Sequence, residues 1–165
     1  MIRLGKRVSV FLIIILVFSN FAVYGQENTY DFGSAGITPD SALYNLELLI
    51  EGAQLAITID PVTQTELLSD HLDERHAEMD AMLQQENYDA LQTASQETQD
   101  TLENLHDTIE TLPPTEENLE IIHETEEQML IQEDHIEDIN TELQTKVQSG
   151  ALTEGLVQEI GITNV

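Results

Sequence analysis

The stretch from Asp60 to Leu83, DPVTQTELLSDHLDERHAEMDAML, limits the possible folds more than any other. Asp60 followed by Pro61 is a helix start. The carboxylate accepts a free backbone N–H of the first turn, and proline's fixed φ and missing N–H cost nothing at the first helical position. Leu68, Leu72, Arg75, Met79 and Met82 recur at helical spacing and share one stripe. Arg75 stands in the middle of that apolar stripe and is the only arginine after Arg7. A guanidinium carried into a core needs a carboxylate from a neighbouring helix. The other segments are therefore expected to pack around this helix.

Two helices flank it. Thr38 and Pro39 read as cap and first position of the earlier one. Its apolar residues fall on two stripes, Leu43, Leu46, Ile50, Ala53 and Ile57 on one and Tyr44, Leu48, Glu51 and Leu55 on the other, which predicts contact on two sides. Asn87 caps a third helix with Tyr88, Leu91, Ser95, Thr98, Leu102, Leu105, Ile109 and Leu112 on one face. Leu112-Pro113-Pro114 stops it, because the residue before a proline is pushed out of the helical region. Connections at Thr58–Asp60 and Glu86–Asn87 are short enough to make neighbours antiparallel. The expected fold is all-α, an antiparallel three-helix bundle over residues 38–112. Counting back from the Asp60 turn puts Glu47 level with Arg75, and Glu51 about a turn nearer the connection. Glu47 is the first choice of partner for Arg75 and Glu51 the second.

Ile37-Thr38-Pro39-Asp40-Ser41, Leu43-Tyr44, Leu55-Ala56-Ile57-Thr58-Ile59-Asp60-Pro61 and Glu74-Arg75-His76-Ala77-Glu78 occur in that order. The series resembles an exported all-helical family of archaea and bacteria, catalogued as a domain of unknown function, with the pattern P-x-S-x-L-Y, L-A-L-T-x-D-P and E-R-L-A-E. The resemblance covers about Ile37 to Leu105. It implies an extracytoplasmic helical domain and brings no activity with it. The chain departs from the family at His76, where leucine is usual, and at Glu47, where lysine is frequent.

Residues 1–25 read as a signal peptide: Arg3, Lys6 and Arg7, the apolar run Val10 to Phe18, then Val23 and Gly25 at the cleavage positions. The run is short for a membrane span of ~20 residues, so a secreted or extracytoplasmic protein is expected; an uncleaved membrane anchor is the alternative. Residues 26–37, polar with two glycines, read as a flexible tether. Without the leader, Arg75 and Lys146 face 32 acids, a net charge of −30 (2 − 32). Such a surface excludes non-specific binding to nucleic acid or anionic membrane and favours cationic partners. There is no cysteine, hence no disulfide framework.

A long acidic helix follows over residues 113–149, beginning at Thr115 and closed by Gly150. Ile122, Met129, Ile136 and Leu143 recur every seven residues, with Glu126, Glu133 and Asn140 as polar companions. This seam is narrow for a coiled coil, so the helix is expected to lie loosely along the bundle or project, with self-association or docking of a protein partner through it as the alternative. Residues 150–165 form an apolar C-terminal tail that either folds back as a short helix or acts as a docking peptide.

Ser69-Asp70-His71 are consecutive, so their side chains diverge on a helix, and no phosphate loop, zinc motif or calcium loop is present. No enzyme and no organic cofactor are expected. Two Glu-x-x-His pairs, Glu103 with His106 and Glu120 with His123, stand at matching heights on either side of the Pro113-Pro114 turn. Carboxylate and imidazole so placed can bind a divalent cation. The expected function is a non-enzymatic interaction or structural module of the cell envelope or exterior, with divalent cation or metal binding as the alternative.

Overall fold

The computed structural model describes residues 30–162, which form five helices and, among the described residues, no strand. They are α1 (Tyr44–Ile57), α2 (Pro61–Gln84), α3 (Tyr88–Glu110), α4 (Glu116–Gln148) and α5 (Glu154–Ile160). The leader over residues 1–25, the first part of the tether and the last three residues lie outside the described residues. No described helix is long and apolar enough to cross a membrane.

Local signals set most helix ends. Asp60 accepts from the Thr63 N–H, Asn87 from Ala90, Thr115 from Asn118 and Thr153 from Leu156. Helix α1 is the exception, starting at Tyr44 rather than after Thr38. Thr38 donates its hydroxyl to Asp40, and the Ser41 hydroxyl accepts from the Leu43 N–H. Those side chains hold residues 38–43 in turns that compete with helix.

Helices α2 and α3 form a closely packed antiparallel hairpin, and the core lies in two apolar clusters along it. One joins Leu68 and Leu72 to Leu105, Ile109 and Leu112. The other joins Met79 and Met82 to Leu91 and Ala94, with Ile136, Ile139 and Leu143 of α4 and Val157 and Ile160 of α5. Between the clusters α2 carries Arg75, His76 and Glu78, all buried.

Helix α4 belongs to this core. Its seven-residue stripe is turned inward: Ile136 and Leu143 are buried, and Ile122 and Met129 pack on the first cluster. The companions that share that face are Thr125, Gln132 and Ile139, each three residues after a stripe position, while Glu126 and Glu133, four residues after, point to solvent. The tail folds back as α5, its backbone held by α3 through Gln92 on the Glu159 carbonyl and Gln99 on the Gly161 carbonyl.

The described part of the tether is docked at Phe32, Ala35 and Ile37. Ala35 is buried, Phe32 packs on the second cluster and stacks on His76, and the Ile37 N–H donates to Glu47.

Candidate functional site

Helix α1 turns its polar stripe inward. Tyr44, Glu47 and Glu51 lie at i, i+3 and i+7, facing Glu74, Arg75 and Glu78 of the antiparallel α2. Arg75 is 1% exposed and is surrounded by acceptors. Its Nη2 lies 2.5 Å from Glu51 Oε1, and its Nη1 donates to Glu78 and, at 2.9 Å, to the Tyr44 hydroxyl. That hydroxyl in turn donates to the second Glu78 oxygen at 2.9 Å, and the guanidinium carbon lies 5.5 Å from the Tyr44 ring centre. The partner of Arg75 on α1 is thus Glu51. Equal height does not put Glu47 in reach, since position around the helix also counts.

Glu47 is 2% exposed. Its Oε1 accepts from the Ile37 N–H at 3.3 Å, and its Oε2 has no hydrogen-bond partner. One oxygen each of Glu47, Glu51 and Glu74 lie within 4.8 Å of one another. Burial first, then the charges of Glu74 and Glu51, push the Glu47 carboxyl up to about 8. Burial likewise raises Glu74 to about 6, against the pull of Arg75. Gly36 covers the group in the left-handed region, φ +54°; a Cβ there would lie 1.8 Å from a Glu74 oxygen and 3.3 Å from Glu47 Oε1. Only glycine lets the backbone pass so close to these carboxylates. Four carboxylates around one guanidinium leave negative charge uncompensated inside the protein, a condition relieved by protons or by a cation.

A second polar group occupies the α4 side of α2. His76 and His135 approach Nδ1 to Nδ1 at 2.8 Å, and His135 Nε2 lies 3.0 Å from Asp80. With His135 donating to Asp80, its Nδ1 accepts from His76, which leaves the buried His76 Nε2 as a bare acceptor without a donor. Phe32 lies over both rings at 4.9 and 4.8 Å. Burial and His135 lower His76 to about 3, so it is neutral.

The residues chosen from the sequence as a metal cluster are not brought together. Glu103, His106, Glu120 and His123 are all exposed, and His123 instead meets Glu127 of its own helix at 3.4 Å. Leu102, Leu105 and Ile109 of α3 and Ile121, Ile122 and Met129 of α4 take the inward positions, which turns the acids and histidines outward. Among the described residues, the one group of three or more acids and histidines within ligand reach is Glu47, Glu51 and Glu74. Sequence reasoning missed Glu74, Glu78 and Tyr44 as members of the site. The available signal was the Tyr44–Glu51 stripe, which carries charge at a packed position.

The sequence model of a family described as a domain of unknown function (DUF5667) matches residues 36–148, from Gly36 over the carboxylates to the end of α4. No curated protein and no solved structure matches the chain.

Proposed function

Starting from a chain that belongs to the DUF5667 family, whose activity is unknown, we propose an exported, non-enzymatic helical module of the cell envelope or exterior that takes a hard divalent cation between α1 and α2. One observation carries the cation: the unpartnered oxygen of buried Glu47, in a group of three carboxylates with oxygens within 4.8 Å of one another. Calcium holds its oxygens at about 2.3–2.6 Å, so two ligands of one ion are at most about 5 Å apart. A donor set of carboxylates, without imidazole or thiolate, suits calcium, magnesium or manganese rather than zinc or copper. The ion would tie Glu47 and Glu51 of α1 to Glu74 of α2, so its uptake reinforces the docking of α1.

Export is supported by the leader, with Arg3, Lys6 and Arg7 ahead of Val10 to Phe18. A binding role is favoured over catalysis because the one close histidine pair, His76 with His135, is sealed in the core beneath Phe32.

Calorimetry and thermal unfolding of the natively processed protein test the cation. Calcium is expected to bind with about one equivalent per chain and to raise the unfolding temperature. A Glu47→Gln/Glu74→Gln double variant loses this, and a His106→Ala/His123→Ala double variant keeps it. Equal, weak, multi-site binding by all three proteins overturns the cation site. Intact mass tests export: the native chain is expected to begin near Gln26, and one still carrying residues 1–25 would be membrane-anchored instead.

A further inference from the structure

The described end of the tether walls a cleft of about 290 Å³ against α2 and α4. Tyr30 and Phe32 line it, their rings stacked with centroids 5.7 Å apart, together with Ile131 of α4. Its charged residues are both acids, Asp31 of the tether and Asp73 of α2. Neither cation after the leader answers them: Arg75 is taken by Glu51 and Glu78, and Lys146 by Glu86 and Glu142. Gln132, also on the wall, is 3% exposed. Its Nε2 donates to Asp73 Oδ1 at 2.9 Å, which leaves the buried Oε1 as an acceptor without a donor. Turning the amide over does not satisfy it, since the oxygen would then face the Asp73 carboxylate. A buried polar atom left unpaired costs about 1–3 kcal/mol, so the wall is short of a donor that a ligand can bring.

We infer that this cleft binds a primary ammonium group carried on a short alkyl chain. An ammonium brings three donors and one positive charge, a donor for Gln132 Oε1 and a counter-charge for Asp31 and Asp73. Aromatic faces such as those of Tyr30 and Phe32 attract a cation held within about 6 Å of them. The alkyl stem suits the apolar wall of Phe32 and Ile131. An anion is repelled by two carboxylates, and a neutral polyol would leave their charge unmatched. A bare metal ion fits poorly. Among the described residues the one group of three acids or histidines within ligand reach is Glu47, Glu51 and Glu74, so Asp31 and Asp73 have no third such ligand beside them. The volume limits the ligand as well: about 290 Å³ stands at the small end of ligand pockets, ~300–1,000 Å³, which suits a chain of a few carbons. The cleft shares no residue with the carboxylates between α1 and α2, so the inference is independent of the divalent cation.

Amide NMR of the natively processed protein, titrated with n-butylammonium chloride at a constant ionic strength of roughly 0.15 M, tests the site. Saturable shifts are expected, concentrated at residues 30–32, 73 and 128–132. 1-Butanol has the same stem without the charge and should bind at least about tenfold more weakly. Asp73→Asn, close to wild type in shape, should weaken ammonium binding at least about tenfold by removing a half-buried charge. Asp31→Asn keeps an acceptor for the Gly33 N–H, so the turn survives it, and should weaken binding about threefold. Added calcium should leave the ammonium in place. Shifts spread evenly along the acidic surface of α4 overturn the inference, as does equal affinity for 1-butanol. Wild-type affinity in Asp31→Asn, or in a folded Asp73→Asn, overturns it too. Displacement by calcium would place the ammonium among Glu47, Glu51 and Glu74 and likewise overturn it.

Discussion

Helices α1 and α3 pack against the same helix by opposite chemistry. Helix α3 meets α2 through apolar side chains, Leu91 and Ala94 beside Met79 and Met82, Leu105 and Ile109 beside Leu68 and Leu72. Helix α1 meets it through Tyr44, Glu47 and Glu51 around Arg75, with Leu55 the one apolar member packed on the core, and leaves its leucines outside. Apolar packing is indifferent to pH and added ions except through the general stability of the fold. An interface of buried charges holds only while its charges are matched. Helix α1 is thus attached by the more conditional of the two bonds, and it is also the helix that leaves Leu46, Leu49 and Ile57 exposed.

The largest effect that separates the two interfaces should come from Arg75→Met. The substitution keeps the packing of the stem and removes the charge, stranding Glu51 and Glu78 in the interior. Breaking a buried pair from one side costs about 3–5 kcal/mol. Arg75→Ala should cost at least as much, so the two variants should be close to each other in chemical denaturation. Leu72→Ala on the apolar side should fall in the same broad range, about 2–5 kcal/mol, by opening a cavity. The difference lies in what is lost: Arg75→Met should release α1 first, Leu72→Ala the whole fold. An Arg75→Met loss within about half a kcal/mol would mean that the charge does not hold α1.

That contrast was half legible in the sequence. Arg75 on an apolar stripe announces a buried cation, and the capped starts of α2, α3 and α4 follow from Asp60, Asn87 and Thr115. Which acids surround Arg75 was not legible, because height along an antiparallel pair follows from counting whereas rotation about the helix axis does not. The same blindness made Glu103, His106, Glu120 and His123 look like a cluster. It also misassigned the α4 companions: Glu126 and Glu133 lie four residues after the stripe, and burial chose Thr125 and Gln132, three residues after. Helix α1 hid its orientation for another reason. Both of its stripes contain aliphatic residues, and the outward one is the richer in them, so hydrophobicity alone points the helix the wrong way round.

Amide exchange sharpens the comparison next. Only Tyr44 and Glu47 of α1 are buried, against twelve residues of α2. Helix α1 should therefore open locally at a free energy at least ~2 kcal/mol below that of the central α2 and α3 amides. Calcium should narrow the gap if it binds between α1 and α2. Exchange from α1 at the global unfolding free energy would make the two interfaces equivalent.

The histidine pair places a polar contact on the apolar side, and pH shows its sign. His76 is held near 3, below its ordinary 6.5, by burial. Between those values the unfolded chain takes a proton on His76 and the folded chain does not, so this residue's contribution is intact above about pH 6.5 and declines as pH falls toward 3. Glu47 works the other way: raised to about 8 from 4.5, it favours the folded state as pH falls through that window. Comparing wild type with His76→Leu cancels the carboxylates. The variant should gain about 2 kcal/mol on wild type between pH 7 and pH 5. Parallel pH profiles for the two proteins would show that His76 is not held neutral by the fold.

The smallest effect tests whether burial, rather than ion pairing as such, makes the α1 interface strong. Lys146 of α4 lies 3.1 Å from Glu86, in the turn between α2 and α3, and 3.7 Å from Glu142 one turn back on its own helix. The chemistry matches Arg75 with Glu51, a cation bridging two elements, but Glu86 is 67% exposed where Glu51 is 14%. Water solvates the exposed carboxylates whether or not the lysine is there, so removing the cation strands nothing. Lys146→Met should therefore cost under ~1 kcal/mol in dilute buffer, and less as salt screens the pair. Measured beside Arg75→Met under one set of conditions, it holds the formal charge change constant and varies only the surroundings. If the two variants lost similar stability, the strength of the α1 attachment would have to come from something other than the desolvation of its charges.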